Sequence, residues 1–134
     1  MRAILMAAGM GTRLAPASGG IAKAMAKVAG KTLLEHQIET LRNAGFEDNR
    51  LVIVGGFQFD DVAAVAREKA PRALVLHNKE YRHQNLLTLL TARTYLDDGF
   101  LLVNVDHLMP SAIHRRMVAF EGPVVACVES GRPL

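Results

Sequence analysis

Apolar residues fall in short continuous runs that alternate with longer stripes of helical period. Residues 2–8, RAILMAA, end at Gly9 and read as a strand buried on both faces. From Gly9 to about Gly30 the chain is rich in Gly and Ala and shows no long period, which predicts a functional loop. Residues 32–44 predict the clearest helix. Leu33, Leu34, Ile38 and Leu41 share one face, Thr32 and Glu35 form a T-x-x-E capping box, and Gly45 ends it. A second strand is expected at 50–54 before Gly55-Gly56. Asp60 or Asp61 can then cap a helix running to Lys69, which Pro71 stops. Further strands are expected at 73–76, 100–105 and 124–128. Between them lie a helix from Asn85 to Leu96 and one starting at Pro110-Ser111 and running to Ala119, with Ser111 placed to cap it. This β-α alternation predicts an α/β fold of Rossmann-like character: an open, mostly parallel sheet with helices on both faces.

In such sheets ligands bind at the carboxyl ends of strands, near a switch in strand order. The Gly9 loop, Gly55-Gly56 and Asp106 all fall at such ends. If the first and fourth strands are neighbours, the Gly9 loop and Asp106 face one crevice. The loop Gly9-Met10-Gly11-Thr12-Arg13-Leu14 departs from the dinucleotide fingerprint G-x-G-x-x-G at Leu14, and no acidic residue closes the second strand. A Walker A loop is absent. What remains is a glycine loop able to turn backbone N–H groups toward an anion, with Ala7, Ala8, Gly9 and Gly11 small enough for a flat base to approach. Arg13 can grip phosphate oxygens with two donors, and Lys23 adds a point charge. Two cations on one polyanion suit a triphosphate. Asp106 ends a buried apolar strand, where a carboxylate needs a partner. A divalent cation is one answer and a helix cap the other, with Ser111 better placed for the cap.

The composition narrows the classes. A length of 134 residues suits a single domain with a real core. No apolar run approaches the roughly 18 residues of a membrane span, and a cytoplasmic protein is the expectation. One cysteine, Cys127, excludes an internal disulfide framework, and its apolar surroundings predict a buried, inert thiol. A net charge of +3 fits a phosphorylated ligand. It does not point to nucleic acid, because Arg115-Arg116 is the only basic pair and aromatic residues make up 5%. His36 is expected on the helix surface, His77, His83 and His114 have no paired metal spacing, and His107 adjoins Asp106.

Residues 6–14 (MAAGMGTRL), Lys23 and residues 28–36 (VAGKTLLEH) resemble the sugar-phosphate nucleotidyltransferase family. The family opens with an A-A-G-x-G-T-R-L loop, a P-K-x-L segment and a G-K-P-L-[IL]-E-[HY] helix start. The likeness continues through Ala44-Gly45-Phe46, Val52 to Phe57, Asn85 to Leu89 and Val105-Asp106. Asn85-x-x-Thr88-Leu89 is similar to the N-x-x-S-L segment of phosphocholine and inositol-phosphate cytidylyltransferases, and Asp106-His107 to the G-D-H segment of the inositol-phosphate branch, with Val105 in place of the glycine. The resemblance implies the nucleotide-diphospho-sugar transferase fold and a reaction. CMP passes from CTP to a phosphorylated sugar, polyol or choline acceptor, and pyrophosphate leaves. It implies that Arg13 and Lys23 are the catalytic cations and that Asp106 holds Mg²⁺. Ala7, Ala8, Gly9, Gly11, Thr12, Asn78 and Asn85 are the implied nucleotide-binding residues. Ala22, Ala26 and Thr32 replace family prolines, so a looser loop around Lys23 is expected. The family domain is longer and its second half supplies another metal-ligating aspartate. The 134 residues are therefore expected to be one domain, its N-terminal half, as a fragment, a truncated product or a homologue completed by self-association. A non-catalytic nucleotide-binding or assembly domain is the alternative.

Overall fold

The computed structural model describes residues 1–11, 20–82, 85–96, 99–122 and 124–126. In chain order its elements begin with β1 (Arg2–Ala7), β2 (Met10–Gly11), β3 (Ile21–Ala22), β4 (Lys27–Val28), β5 (Lys31–Thr32) and α1 (Leu33–Asn43). They continue with β6 (Leu51–Gly55), α2 (Phe59–Lys69), β7 (Leu74–His77), α3 (Asn85–Thr91), β8 (Phe100–Asn104) and α4 (Ser111–Ala119). The four long strands form one parallel sheet in the order β7-β6-β1-β8. The order runs outward from β1 in one direction through β6 and β7, then reverses to place β8 on the other side. The switch point lies between β1 and β8, the pairing on which a shared crevice depends.

Strand alternation divides the core in two. Ala3, Leu5 and Ala7 of β1 join Leu51, Ile53, Leu101 and Val103 under α1, α2 and Met117 of α4. Ile4, Val52 and Val54 face the other way, against Leu89 of α3 and Ala92, Tyr95 and Leu96 beyond it. Helices therefore cover both faces, and α3 alone among the numbered helices covers the second.

α1 forms as its sequence predicts. The Thr32 hydroxyl accepts from the Glu35 N–H at 3.1 Å, and the Glu35 carboxylate accepts from the Thr32 N–H at 2.8 Å. That second bond, chiefly, holds the Glu35 carboxyl below its ordinary value. Leu34, Ile38 and Leu41 are fully buried, each contributing about 1.5–3 kcal/mol by area. His36 lies at the helix surface, half-covered, with its Nε2 2.6 Å from the Val28 carbonyl.

Several expectations change. The stretch from Gly9 to Gly30 carries two short antiparallel ribbons, β2 with β3 and β4 with β5. Neither Asp60 nor Asp61 caps α2. Gln58, in the left-handed region at φ 49°, precedes the helix, and both aspartates lie in its first turn, near the positive end of the dipole. The helix from Asn85 stops at Thr91 and passes into a 3₁₀ turn at Arg93–Tyr95, where the backbone tightens. Ser111 is the first residue of α4 and does not cap it, since the extended Pro110 already occupies the cap position. Residues 124–126 form no strand. Val124 is 85% exposed, and neither edge strand of the sheet pairs with this stretch among the described residues. Residues 127 and 128, with Cys127, lie outside the described residues. No described helix is long and apolar enough to cross a membrane.

Candidate active site

A cavity of about 140 Å³ opens at the carboxyl ends of β1 and β8, at the switch point. Met6, Ala8, Gly9, Lys23, Tyr81, Thr88, Asn104, Val105 and Asp106 line it. A wider groove of about 260 Å³, lined by Met1, Arg2, Asn49, Arg50 and Gly99, lies at the opposite, amino ends of the strands.

β1 delivers Ala8 and Gly9 to the cavity floor. The Gly9 carbonyl accepts from the Lys23 N–H at 3.2 Å. A β-carbon at position 9 would stand 3.3 Å from Lys23 Cδ, so glycine leaves room for the lysine stem to cross the loop. Lys23 opens a 3₁₀ turn, Lys23–Met25. Its flanks keep the backbone that proline would impose: Ala22 has φ −58°, Ala26 φ −63° and Thr32 φ −68°. Two of these positions also make hydrogen bonds that proline could not. The Ala22 N–H donates to Gln58 Oε1 at 3.2 Å, and the Ala26 N–H to the Lys23 carbonyl at 3.1 Å.

Lys23 Nζ lies 3.6 Å from Asp106 Oδ2, and both side chains are 42% exposed. A half-exposed pair at this distance adds little to stability. It does set opposite charges side by side in one cavity wall, where each can exchange its partner for a ligand group. Asp106 follows the last ladder bond of β1 with β8, in which the Val105 N–H donates to the Met6 carbonyl at 3.1 Å. No described group of three or more His, Cys, Asp or Glu residues is arranged to hold a metal. Among the described residues Asp106 is the one carboxylate that lines the cavity, a donor set that suits a cation holding most of its shell as substrate phosphates and water.

Lys23, Asp106, Ala8 and Gly9 come together in the cavity wall as the sequence suggests. Ala7 does not join them, being fully buried in the core beneath α1. Gly11 ends β2, opposite Ile21. Asn78 is buried beside the cavity and braces it. Its Nδ2 donates to Thr88 Oγ1 at 3.0 Å, and its Oδ1 accepts from the Glu80 N–H at 3.0 Å. Asn85 begins α3, and its side chain, like Thr12 and Arg13 entirely, lies outside the described residues. His107 is exposed and does not line the cavity.

Thr88, of the Asn85-x-x-Thr88-Leu89 segment, lines the cavity too, and Tyr81 and Asn104 join it from outside any motif of the sequence. Tyr81 follows β7, so the rule that sites form at strand carboxyl ends could have found it. It leaves no space at Gly56, where an added β-carbon would stand 2.5 Å from Tyr81 Cβ and 2.9 Å from Ala8 Cβ.

The model of the MobA-like NTP transferase domain matches residues 3–134. A bifunctional IPC transferase and DIPP synthase of Rubrobacter xylanophilus is 36% identical over 132 residues, covering 98% of this chain and 29% of that protein. The inositol-1-phosphate CTP transferase of T. maritima superposes with a TM-score of 0.70 at 25% identity, over 83% of this chain and 45% of that one. The CTP:phosphocholine cytidylyltransferase of Streptococcus pneumoniae superposes with a TM-score of 0.67 at 27% identity, over 83% of this chain and 49% of that one. The chain thus spans less than half the length of each of these relatives. With the parallel sheet and the loop at its switch point, these likenesses establish that the chain belongs to the MobA-like NTP transferase family.

Proposed function

We propose that this chain carries the nucleotide-binding half of a cytidylyltransferase, which transfers CMP from CTP to a phosphorylated polyol, sugar or choline. The observation that carries the reading is the meeting of Lys23 and Asp106, 3.6 Å apart, over the Gly9 loop at the switch point. CTP is favoured because relatives named for CTP and for inositol phosphate or phosphocholine share both sequence and fold with this chain.

The acceptor phosphate is ionised at neutral pH and is its own nucleophile. It attacks the α-phosphorus of the triphosphate, one phosphorus–oxygen bond forms as another breaks, and pyrophosphate leaves with the electron pair. No strong general base is required, so the protein's task is positioning and charge neutralisation. Ala8 and Gly9 admit the nucleotide close to the backbone. Lys23 places an ammonium against the α-phosphate as negative charge builds. Arg13, by its place in the family loop, grips the β and γ phosphates, and Thr12, Gly11 and Asn85 complete the nucleotide contacts. Asn78 keeps Thr88 and the turn before Tyr81 in place. Asp106 would hold Mg²⁺, which when bound neutralises phosphate oxygens.

The test is thermal unfolding of the chain with CTP, UTP, GTP or ATP, with and without Mg²⁺, followed by pyrophosphate release with phosphocholine and inositol phosphate. A Mg²⁺-dependent shift selective for CTP is expected, with pyrophosphate released in the presence of one acceptor. Binding without release at any acceptor would mark a nucleotide-binding domain instead. No shift with any nucleotide would overturn both readings.

A further inference from the structure

The carboxylate of Asp106 can serve a ligand only if the backbone beneath it is fixed. Asp106 lies just past the end of β8, beyond the ladder, so the sheet does not fix it. The anchor comes from another layer. Gln37 stands on the inward stripe of α1, between Leu34 and Leu41, and is 0% exposed. Its Nε2 shares two N–H donors among the carbonyls of Asn104 at 3.2 Å, Val105 at 3.1 Å and His107 at 2.9 Å. These three carbonyls bracket Asp106 in sequence. Three acceptors around one nitrogen also fix which way the amide points. The other end of the amide, Oε1, is buried with no hydrogen-bond partner among the described residues. A leucine or methionine would fill this core position without that burden, so packing does not explain a glutamine here.

We propose that Gln37 is a positioning residue for Asp106. It gathers the turn at 104–107 onto α1, so that the carboxylate stays beside Lys23 in the cavity wall. The inference rests on reading Asp106 as the residue that faces the cation and phosphates. Gln37 itself does not line the cavity and acts through the backbone. Removing a group that orients a metal-binding carboxylate typically weakens metal affinity by about 10–100-fold.

The test is Gln37→Met, which keeps length and apolar volume but removes both donors. Gln37→Asn, which keeps the amide but falls one methylene short, serves if the first variant does not fold. Ile38→Val is the control for a weakened α1 core. Two readouts are needed. In hydrogen exchange, the amides of residues 105–109 should open at least about tenfold faster in Gln37→Met than in wild type or Ile38→Val, with the β1 amides unchanged. In thermal unfolding with CTP, the Mg²⁺ concentration giving half the ligand-induced shift should rise by about tenfold, while the shift with CTP alone stays. Unchanged exchange at 105–109 would overturn the proposal whatever the ligand data show. Faster exchange with unaltered Mg²⁺ dependence would overturn the link to Asp106. A wild-type chain with no Mg²⁺-dependent shift would instead overturn the reading of the site, with the exchange arm still deciding whether Gln37 holds the turn.

Discussion

His114 lies wholly inside, on the inner side of α4, and neither ring nitrogen has a hydrogen-bond partner among the described residues. Burial pushes its pKa below the ordinary value, because the charged ring would lose its water. The folded protein therefore keeps the ring neutral, whereas the unfolded chain takes up a proton below about pH 6.5. Stability is complete above that pH and falls as the pH drops toward the lowered native value. We expect the urea midpoint to fall between pH 7.5 and 5.5 in wild type, and to fall less in His114→Leu, which has no proton to gain. Gly56 gives a steric prediction. Gly56→Ala would drive a methyl into Tyr81 and Ala8 and should cost about 1–3 kcal/mol in denaturant unfolding, because overpacking forces backbone shifts. At this scale the sequence shows those residues of the candidate site whose reason is local. Gly9 and Lys23 belong to a loop that follows an apolar strand, and Asp106 ends another, so residue type and position together mark them. Gln37 and Tyr81 were not legible, because what makes them matter is the carbonyls or the glycine that the fold brings to them from distant parts of the chain. A glutamine within the stripe of Leu34, Ile38 and Leu41 was the available sign, a polar residue at a core position.

α1 was the most legible element because its start is written in neighbouring residues. Thr32 and Glu35 close the capping box within one turn, and Thr32→Ala should lower stability by about 1 kcal/mol, read as a shifted urea midpoint. The other end is tied across space. Arg42 donates from Nε to Asp48 Oδ1 at 2.8 Å and from its Nη2 to Oδ2 at 2.9 Å, and its Nη2 also reaches the Lys69 carbonyl at the end of α2. The Arg42 guanidinium holds the Asp48 carboxyl below its ordinary value. A depressed carboxylate adds stability above the unfolded value of about 3.9 and loses it as the pH falls through the native value. Asp48→Asn should thus cost about 1 kcal/mol at pH 7, between an exposed ion pair and a fully buried charged hydrogen bond, and the difference from wild type should shrink as the pH falls below the unfolded value. The short ribbons β2–β5 were not legible, since two residues cannot show a period and each strand exists only because its partner is brought alongside. Residues 124–126 show the reverse. Their apolar run has the composition of a strand, but a strand needs a neighbour for its N–H and C=O groups, and none of the described residues supplies one.

At the level of the whole molecule, the strand order turns separate sequence features into a site. Residue 106 is far along the chain from residues 9 and 23, and it meets them because β8 returns to the side of β1 that β6 leaves free. The alternation of strands and helices announces a parallel sheet but not this order, so the crevice could be anticipated only as a condition on which strands are neighbours. The order also separates two explanations of the Lys23–Asp106 pair. If the pair were there to hold the fold together, breaking it would be felt without ligand. Both side chains are 42% exposed and 3.6 Å apart, so that contribution is at most about 0.5–1 kcal/mol. If the pair marks where phosphates and a cation enter, its loss should be felt mainly when ligand is present. A nucleotide at about 100 times its Kd stabilises the wild type by roughly 2.7 kcal/mol. Lys23→Met and Asp106→Asn should each unfold within about 1 kcal/mol of wild type in buffer alone, and each should lose most of the shift produced by Mg²⁺ and CTP. The two losses should differ in kind. Asp106→Asn should leave the small shift seen with CTP alone while removing most of its growth with Mg²⁺, because the amide lacks the negative charge that draws the cation. Lys23→Met should weaken both, because the ammonium meets the phosphates directly. Equal retention of the ligand shift in both variants would place the nucleotide elsewhere on the sheet, away from the switch point.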